Sequence, residues 1–303
     1  MNAHHSQESF SWPKRYAELL PFERTAWLDM CARGCATSWA REGFSDGLAE
    51  HLVGSVGQSP EYATLHPLVA PCILLRARMF DRMLSELLMR SSQRQFVHIW
   101  TIGAGFDSRW ARMGAMFPEV FFHEADTKRL VDLKTEMVGK SPLAASFGRV
   151  LRHAVNSWRD LAATMQDYPG PRIIVAEGLF DYLPEHEKRE LLHALHGNNE
   201  ETVLLLDALN MYGAAYDNRR PEWYTGDPTL QVHGLPGDPG AFFLEAGWAL
   251  TRCHSIFAEL PALLCRKYRV LRWIKRLPIP SAFAQKYQVY SLSSVHRFTN
   301  GDA

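Results

Sequence analysis

Three groups of residues stand where a small ligand could be held. Gly103-Ala104-Gly105 follows the apolar run Phe96 to Ile102, and Asp107 and Ser108 come where a helix would begin. Two glycines without a Cβ let the backbone turn tightly and let a ligand approach it closely. Asp126 closes Glu124-Ala125-Asp126 behind the apolar Val120-Phe121-Phe122, and Glu177 follows the apolar Ile173-Ile174-Val175-Ala176. A carboxylate after one strand can accept both hydroxyls of a ribose. A carboxylate after another can hold an ammonium group. Each acid taken singly fits a solvated loop residue or a helix cap equally well, and a Gly-x-Gly after a strand is common. The coincidence of all three at strand ends carries the reading.

The glycine turn is not a dinucleotide fingerprint, because Ser108 holds the place of a third glycine, and no Gly-Lys-Ser/Thr follows to cradle a phosphate. A ligand with a ribose, a positive amine and no phosphate is S-adenosylmethionine. An arginine on the preceding helix could pair with its carboxylate.

The elements that must position these residues follow from periodicity. From Arg15 to about Gly57 the apolar residues recur at helical spacing, and a strong helix runs from about Pro71 to Ser91. The first strand ends at Ile102, and four further strands are expected at 120–126, 149–155, 172–176 and 202–206, with helices at 127–137, 157–165 and 184–196 between them. Residues 209–237, rich in Pro, Gly, Tyr and Trp, read as an inserted loop or small helical lid. Beyond them come a helix at 242–246, a strand at 248–255, a basic helix at 261–277 and a final strand at 288–294. Alternating strands and helices imply an α/β fold with a doubly wound, mostly parallel seven-stranded sheet. The chain divides into a tail (1–15), a helical N-terminal cover (16–92) and the α/β domain (93–303).

The chain has 303 residues, 47% of them hydrophobic, which suffices for a sizeable core. Lys and Arg total 33 and Asp and Glu total 33, so no net charge argues for nucleic acid or an anionic membrane. The polar start, Met1 to Ser11, does not resemble a signal peptide, and no apolar run is long enough to cross a bilayer. Five cysteines fit reduced thiols and a cytoplasmic location. Neither Cys31 with Cys35 nor His193 with His196 has convincing metal-site spacing, so no metal is expected.

Several segments resemble the leucine carboxyl methyltransferase and tetracenomycin-type polyketide carboxyl methyltransferase family. Ile102-Gly103-Ala104-Gly105-Phe106-Asp107-Ser108-Arg109 resembles its Leu-Gly-Ala-Gly-Leu-Asp-Thr-Arg motif. Ala176-Glu177-Gly178-Leu179-Phe180-Asp181-Tyr182-Leu183-Pro184 is similar to its Ala-Glu-Gly-x-x-x-Tyr-Leu-Pro motif. Weaker matches are Phe44-Ser45-Asp46-Gly47-Leu48-Ala49, Arg76-Ala77-Arg78-Met79-Phe80-Asp81, Glu124-Ala125-Asp126 with Lys134, and Ala246-Gly247-Trp248. Together they span about residues 25 to 255. The resemblance implies a class I S-adenosylmethionine-dependent methyltransferase with a helical cover. It implies that Gly103, Ala104 and Gly105 form the cofactor turn, that Asp126 binds the ribose and that Glu177 lies beside the methionine moiety. Arg33 and Arg76 would serve the cofactor or substrate carboxylate, and Tyr182 would lie near the substrate. Glu124 competes for the role of Asp126. The family's Asp-Leu at the adenine aligns with His153-Ala154 here, with Asn156 nearby, and Lys128 replaces a family proline.

The sulfonium methyl is already electrophilic, so alignment of the nucleophile is the main task and can contribute on the order of 7 to 11 kcal/mol. A carboxylate is ionised at neutral pH and needs no base, whereas a phenol usually benefits from one. No histidine–aspartate pair announces a base. The expected reaction is therefore methyl esterification of a small-molecule carboxylic acid, secondary-metabolite or polyketide-like, with Arg76 and Tyr182 holding the acid. Methylation of a hydroxyl, or a binding protein that has lost its chemistry, are the alternatives. Tyr212, Tyr216, Trp223 and Tyr224 in the insert suit a flat substrate or simply pack the lid. The basic run from Arg266 to Arg276 could meet an acidic carrier domain or be a solvated helix face, and a protein C-terminus as substrate stays open.

Overall fold

The computed structural model describes residues 12–35, 44–90, 98–141, 150–196, 201–267 and 285–294. Most of the expected tail, the start of the first strand (Phe96 and Val97), Arg149 and the basic run beyond Lys267 lie outside the described residues.

Seven strands form one sheet in the order β3-β2-β1-β4-β5-β7-β6. They are β1 (His98–Ile102), β2 (Phe121–Asp126), β3 (Val150–Ala154), β4 (Arg172–Ala176), β5 (Thr202–Leu209), β6 (Trp248–Ser255) and β7 (Tyr287–Ser294). The first five run parallel, and β7 runs antiparallel to both β5 and β6. β4 and β5 are buried along their whole length, as strands covered on both faces must be. The strand order reverses between β1 and β4, which opens a crevice at their C-terminal ends.

The N-terminal helices are α1 (Trp12–Ala17), α2 (Pro21–Gly34), α3 (Gly47–Val56) and α4 (Val69–Arg90). Their apolar stripes, with Trp27, Met30, Leu48, Leu74, Phe80 and Leu84, join Phe106, Val175 and Leu205 in one core. The opposite face of the sheet packs Trp100, Ile102 and Leu204 against Phe180, Leu191, Leu192, Phe243 and Trp248. Full burial of each such side chain stabilises the fold by roughly 1.5–3 kcal/mol. The helices that cover the sheet are α5 (Arg109–Met113), α6 (Lys128–Gly139), α7 (Trp158–Gln166), α8 (Glu185–Leu195), α11 (Pro239–Glu245) and α12 (Ile256–Lys267). The 209–237 segment folds as two short helices, α9 (Met211–Asp217) and α10 (Glu222–Thr225), rather than as a plain loop. No helix among the described residues is long and apolar enough to cross a membrane.

The cover is locked to the glycine turn by charge. Asp46 caps α3 by accepting the Ala49 N–H at 3.0 Å. The same buried carboxylate receives Arg33 at 3.2 Å and Arg112 at 2.8 Å, and the Ser108 hydroxyl also donates to it. Ser108 thus occupies the N-cap position of α5 but spends its side chain on Asp46. Asp107 does the capping, accepting the N–H groups of Ser108 at 2.8 Å and Arg109 at 3.1 Å.

Candidate active site

A cavity of about 370 Å³ opens at the ends of β1, β2 and β4. Its floor is the turn after β1. Gly103 and Gly105 sit at φ of 61° and 42°, in the region that favours glycine. A Cβ on Gly105 would stand 2.6 Å from the Cβ of Ala26, so α2 presses directly on the turn. Arg33 lines the cavity and braces the turn through the Phe106 carbonyl at 2.9 Å.

Asp126 lies at the cavity wall, where its oxygens accept Gly105 N–H and Thr127 N–H, both at 2.6 Å. Each oxygen keeps a further lone pair for a ligand hydroxyl. Burial pushes this carboxyl up to about 6, against the pull of those two N–H groups. Glu124 takes no part, being buried in ion pairs with Lys134 at 2.6 Å and Arg152 at 2.9 Å. A ribose held by an ionised Asp126 loses acceptors as the group protonates. The affinity for S-adenosylhomocysteine is therefore expected to fall about tenfold at pH 5 relative to pH 7.5. Calorimetric titration at the two pH values checks this, and an affinity that rises on acidification contradicts it.

Glu177 lines the same cavity and is held by two arginines. Arg76 Nε lies 3.0 Å from one oxygen, and Arg109 donates to the other. Burial pushes the Glu177 carboxyl up, and Arg109 and Arg76 more than reverse that, holding it below its ordinary range. Arg76 also donates to Asp29 and to the Tyr287 hydroxyl at 2.8 Å, and lies 3.7 Å from Asp207. Arg109 reaches Asp81 at 3.0 Å and Asp107 at 2.6 Å. Charge-assisted bonds of this kind fix side chains tightly.

A second cavity, about 180 Å³, adjoins the first, and Asp29, Arg76, Asp181 and Tyr182 line both. Its remaining wall is mostly apolar or aromatic, with Leu68, Ile73, Val232, Phe257 and the rings of Tyr216 and Tyr224. Lys286 closes one side, paired with Asp217 at 2.5 Å and lying 4.6 Å from the Tyr216 ring centre. Of the four insert aromatics, Tyr216 and Tyr224 face this cavity. Trp223 instead stacks on His66 at 5.6 Å, and Tyr212 is exposed.

The structure thus brings Arg33, Arg76, Gly103, Ala104, Gly105, Asp126, Glu177 and Tyr182 to one cavity. It does not bring His153 or Ala154 there. His153 stacks beneath the sheet, bonded at 3.1 Å to His123, which bonds to His98 at 2.9 Å and lies flat on Trp100 at 4.2 Å. Burial lowers the His123 imidazole to about 3 and holds His153 below its ordinary value, so this row is neutral packing. Ala154 is exposed at the end of β3. The next residues along the chain, Val155, Asn156 and Ser157, line an open extension of the cavity beyond Asp126. Sequence reasoning missed Asp29, Asp207, Lys286 and Tyr287. Asp207 carried the same signal as Asp126, an acid ending an apolar strand, whereas the others are visible only once the helical cover and β7 are in place.

A ribose acceptor beside a glycine floor, an acid for an amine and an open extension past Asp126 suit an adenosine-linked amino acid, and the crevice is the one this sheet order creates. The fold is that of the class I S-adenosylmethionine-dependent methyltransferases. The leucine carboxyl methyltransferase family profile matches residues 25–196, and the chain belongs to that family; its cofactor is S-adenosylmethionine. A Streptomyces avermitilis protein described as a candidate S-adenosyl-L-methionine-dependent methyltransferase is 27% identical over 181 residues, 58% of this chain. The match spans 62% of that relative's length. A solved DUF574 family protein from the same species has the same fold at TM-score 0.52 and 11% identity, covering 88% of this chain and 97% of that one. A Synechocystis magnesium protoporphyrin IX methyltransferase with bound S-adenosylhomocysteine aligns at TM-score 0.48 and 9% identity, over 84% and 98% of the two chains.

Proposed function

We propose that the protein methylates the carboxylate of a small, flat, secondary-metabolite or polyketide-like acid. The observation that carries this reading is the shared wall of the two cavities. Arg76 and Tyr182 belong to both, so a group bound in the smaller cavity meets the cofactor cavity beside them. When bound, S-adenosylmethionine supplies an electrophilic methyl group. The chain's task is then to hold the acid and keep water out. Tyr182 and Arg76 offer donors at the junction, and the apolar and aromatic walls of the smaller cavity favour a planar molecule. The small volume, about 180 Å³, favours a small molecule over a protein C-terminus. The cysteines Cys31, Cys35, Cys72 and Cys253, free among the described residues, support a cytoplasmic location.

The test is a matched pair, 2-naphthoic acid and 2-naphthol, each incubated with enzyme and S-adenosylmethionine and analysed by mass spectrometry. The methyl ester is the expected product. Methylation of the naphthol with the acid untouched would overturn the carboxylate assignment.

A further inference from the structure

Asp181 is a side chain that the family motif leaves unspecified, yet it lines both cavities at their junction. Four carboxyl groups crowd this place: Asp29, Glu177, Asp181 and Asp207. Arg76 ion-pairs Asp29, Glu177 and, at 3.7 Å, Asp207. Asp207 is further occupied by the Gly178 N–H at 2.7 Å and by the Tyr287 hydroxyl. Asp217 on the far wall has Lys286. Among the described residues Asp181 has no ion pair. Its side chain accepts the Leu209 N–H at 2.8 Å through Oδ1, and Oδ2 has no hydrogen-bond partner among those residues.

We propose that Asp181 carries its proton in the working enzyme and donates a hydrogen bond to the acceptor carboxylate, selecting a carboxylate at the junction. The proposal rests on the carboxylate reading above. An ionised Asp181 would repel an entering carboxylate, whereas a neutral one supplies the donor that the anion lacks. The acceptor's single negative charge then balances the single positive charge of the sulfonium, with Asp181 contributing none.

The surroundings favour the protonated form. Burial and Asp207 on β5 push the Asp181 carboxyl up to about 7, while the Leu209 N–H, Lys188 on α8 and Arg76 on α4 pull it back. Lys188 spends its ammonium on the carbonyls of His233 at 2.5 Å and Gly234 at 3.2 Å. Glu177 and Glu187 at the cofactor cavity, Tyr182 beside Asp181, Tyr287 and Tyr290 on β7 and Asp29 on α2 also surround the junction, and burial raises the three tyrosines and Asp29. A bound anion next to Asp181 favours its neutral form further.

The experiment is calorimetric binding of 2-naphthoate to the protein saturated with S-adenosylhomocysteine, at pH 6 and pH 8.5. The wild-type affinity is expected to fall about tenfold or more across that interval. Asp181→Asn, whose amide donates without titrating, should bind at pH 8.5 within about threefold of its own affinity at pH 6, and Asp181→Ala should bind about tenfold more weakly than wild type at pH 6. Wild-type binding that ignores pH, or Asp181→Ala binding as tightly as wild type, overturns the role of Asp181 while leaving carboxylate methylation standing. Methylation of 2-naphthol that speeds with rising pH and vanishes in Asp181→Asn would make Asp181 a base and overturn both readings.

Discussion

Replacing Arg109 by alanine is expected to destabilise the protein by about 3–5 kcal/mol, the cost of breaking a buried charge cluster from one side. The guanidinium side chain is 1% exposed and contacts Asp81, Asp107 and Glu177. Burial alone would lower its proton affinity, and Asp107, Glu177 and Asp81 reverse this. Arg112 still reaches Asp81 at 2.8 Å and Arg76 still reaches Glu177, so the remaining acids are only partly compensated. Lysine would not substitute well, because one ammonium cannot reproduce a fork aimed at three carboxylates. The loss should lower the melting temperature by about 10 °C, read by circular dichroism. A drop under about 2 °C would mean that the cluster relaxes freely and that its arrangement is not what holds the glycine turn to α4.

The second large effect is on ligand affinity. Glu177→Gln keeps the size and shape of the side chain but removes the charge proposed to face the cofactor's ammonium. A hydrogen bond to a charged group contributes about 1.5–3 kcal/mol, so S-adenosylhomocysteine should bind about 10- to 100-fold more weakly. The variant also leaves Arg76 and Arg109 with one fewer anion, which raises the local positive charge and adds to the loss for a cationic group. Titration calorimetry with a parallel melting curve separates lost affinity from lost structure. An affinity within threefold of wild type would place the amine elsewhere.

The parallel half of the sheet was legible because burial on both faces writes strands as apolar runs. β4, buried along its whole length, falls at 172–176 where the sequence places it. β5 runs on to Leu209, past the apolar run, because β7 pairs with it as far as Leu209 and Tyr287. No local pattern announces that distant partner. The helical cover was legible from periodicity, but its function was not. Asp29 is an ordinary helix residue until α2 closes over the crevice, whereas Arg76 on α4 was marked out by the family resemblance. His153 and Ala154 lie outside the cavity for a related reason. Aligning His153-Ala154 with the family's Asp-Leu fixes a position along the chain, but whether that side chain faces the crevice depends on where β3 stops and on ring packing with Trp100 and His123. The substrate side was readable only as a cluster of aromatics. Which of them face the cavity depends on how α9 and α10 fold back over Lys286 and His66.

The measurement that tests the account most directly is titration of the purified protein with S-adenosylhomocysteine at pH 7.5, beside an Asp126→Ala variant. Micromolar binding that weakens at least tenfold in the variant is the predicted result, because Asp126, at the end of β2 in the cavity wall, is the carboxylate proposed for the ribose. Binding of equal strength in the two proteins, or none in the wild type at millimolar ligand, would contradict the assignment of this cavity as the cofactor site.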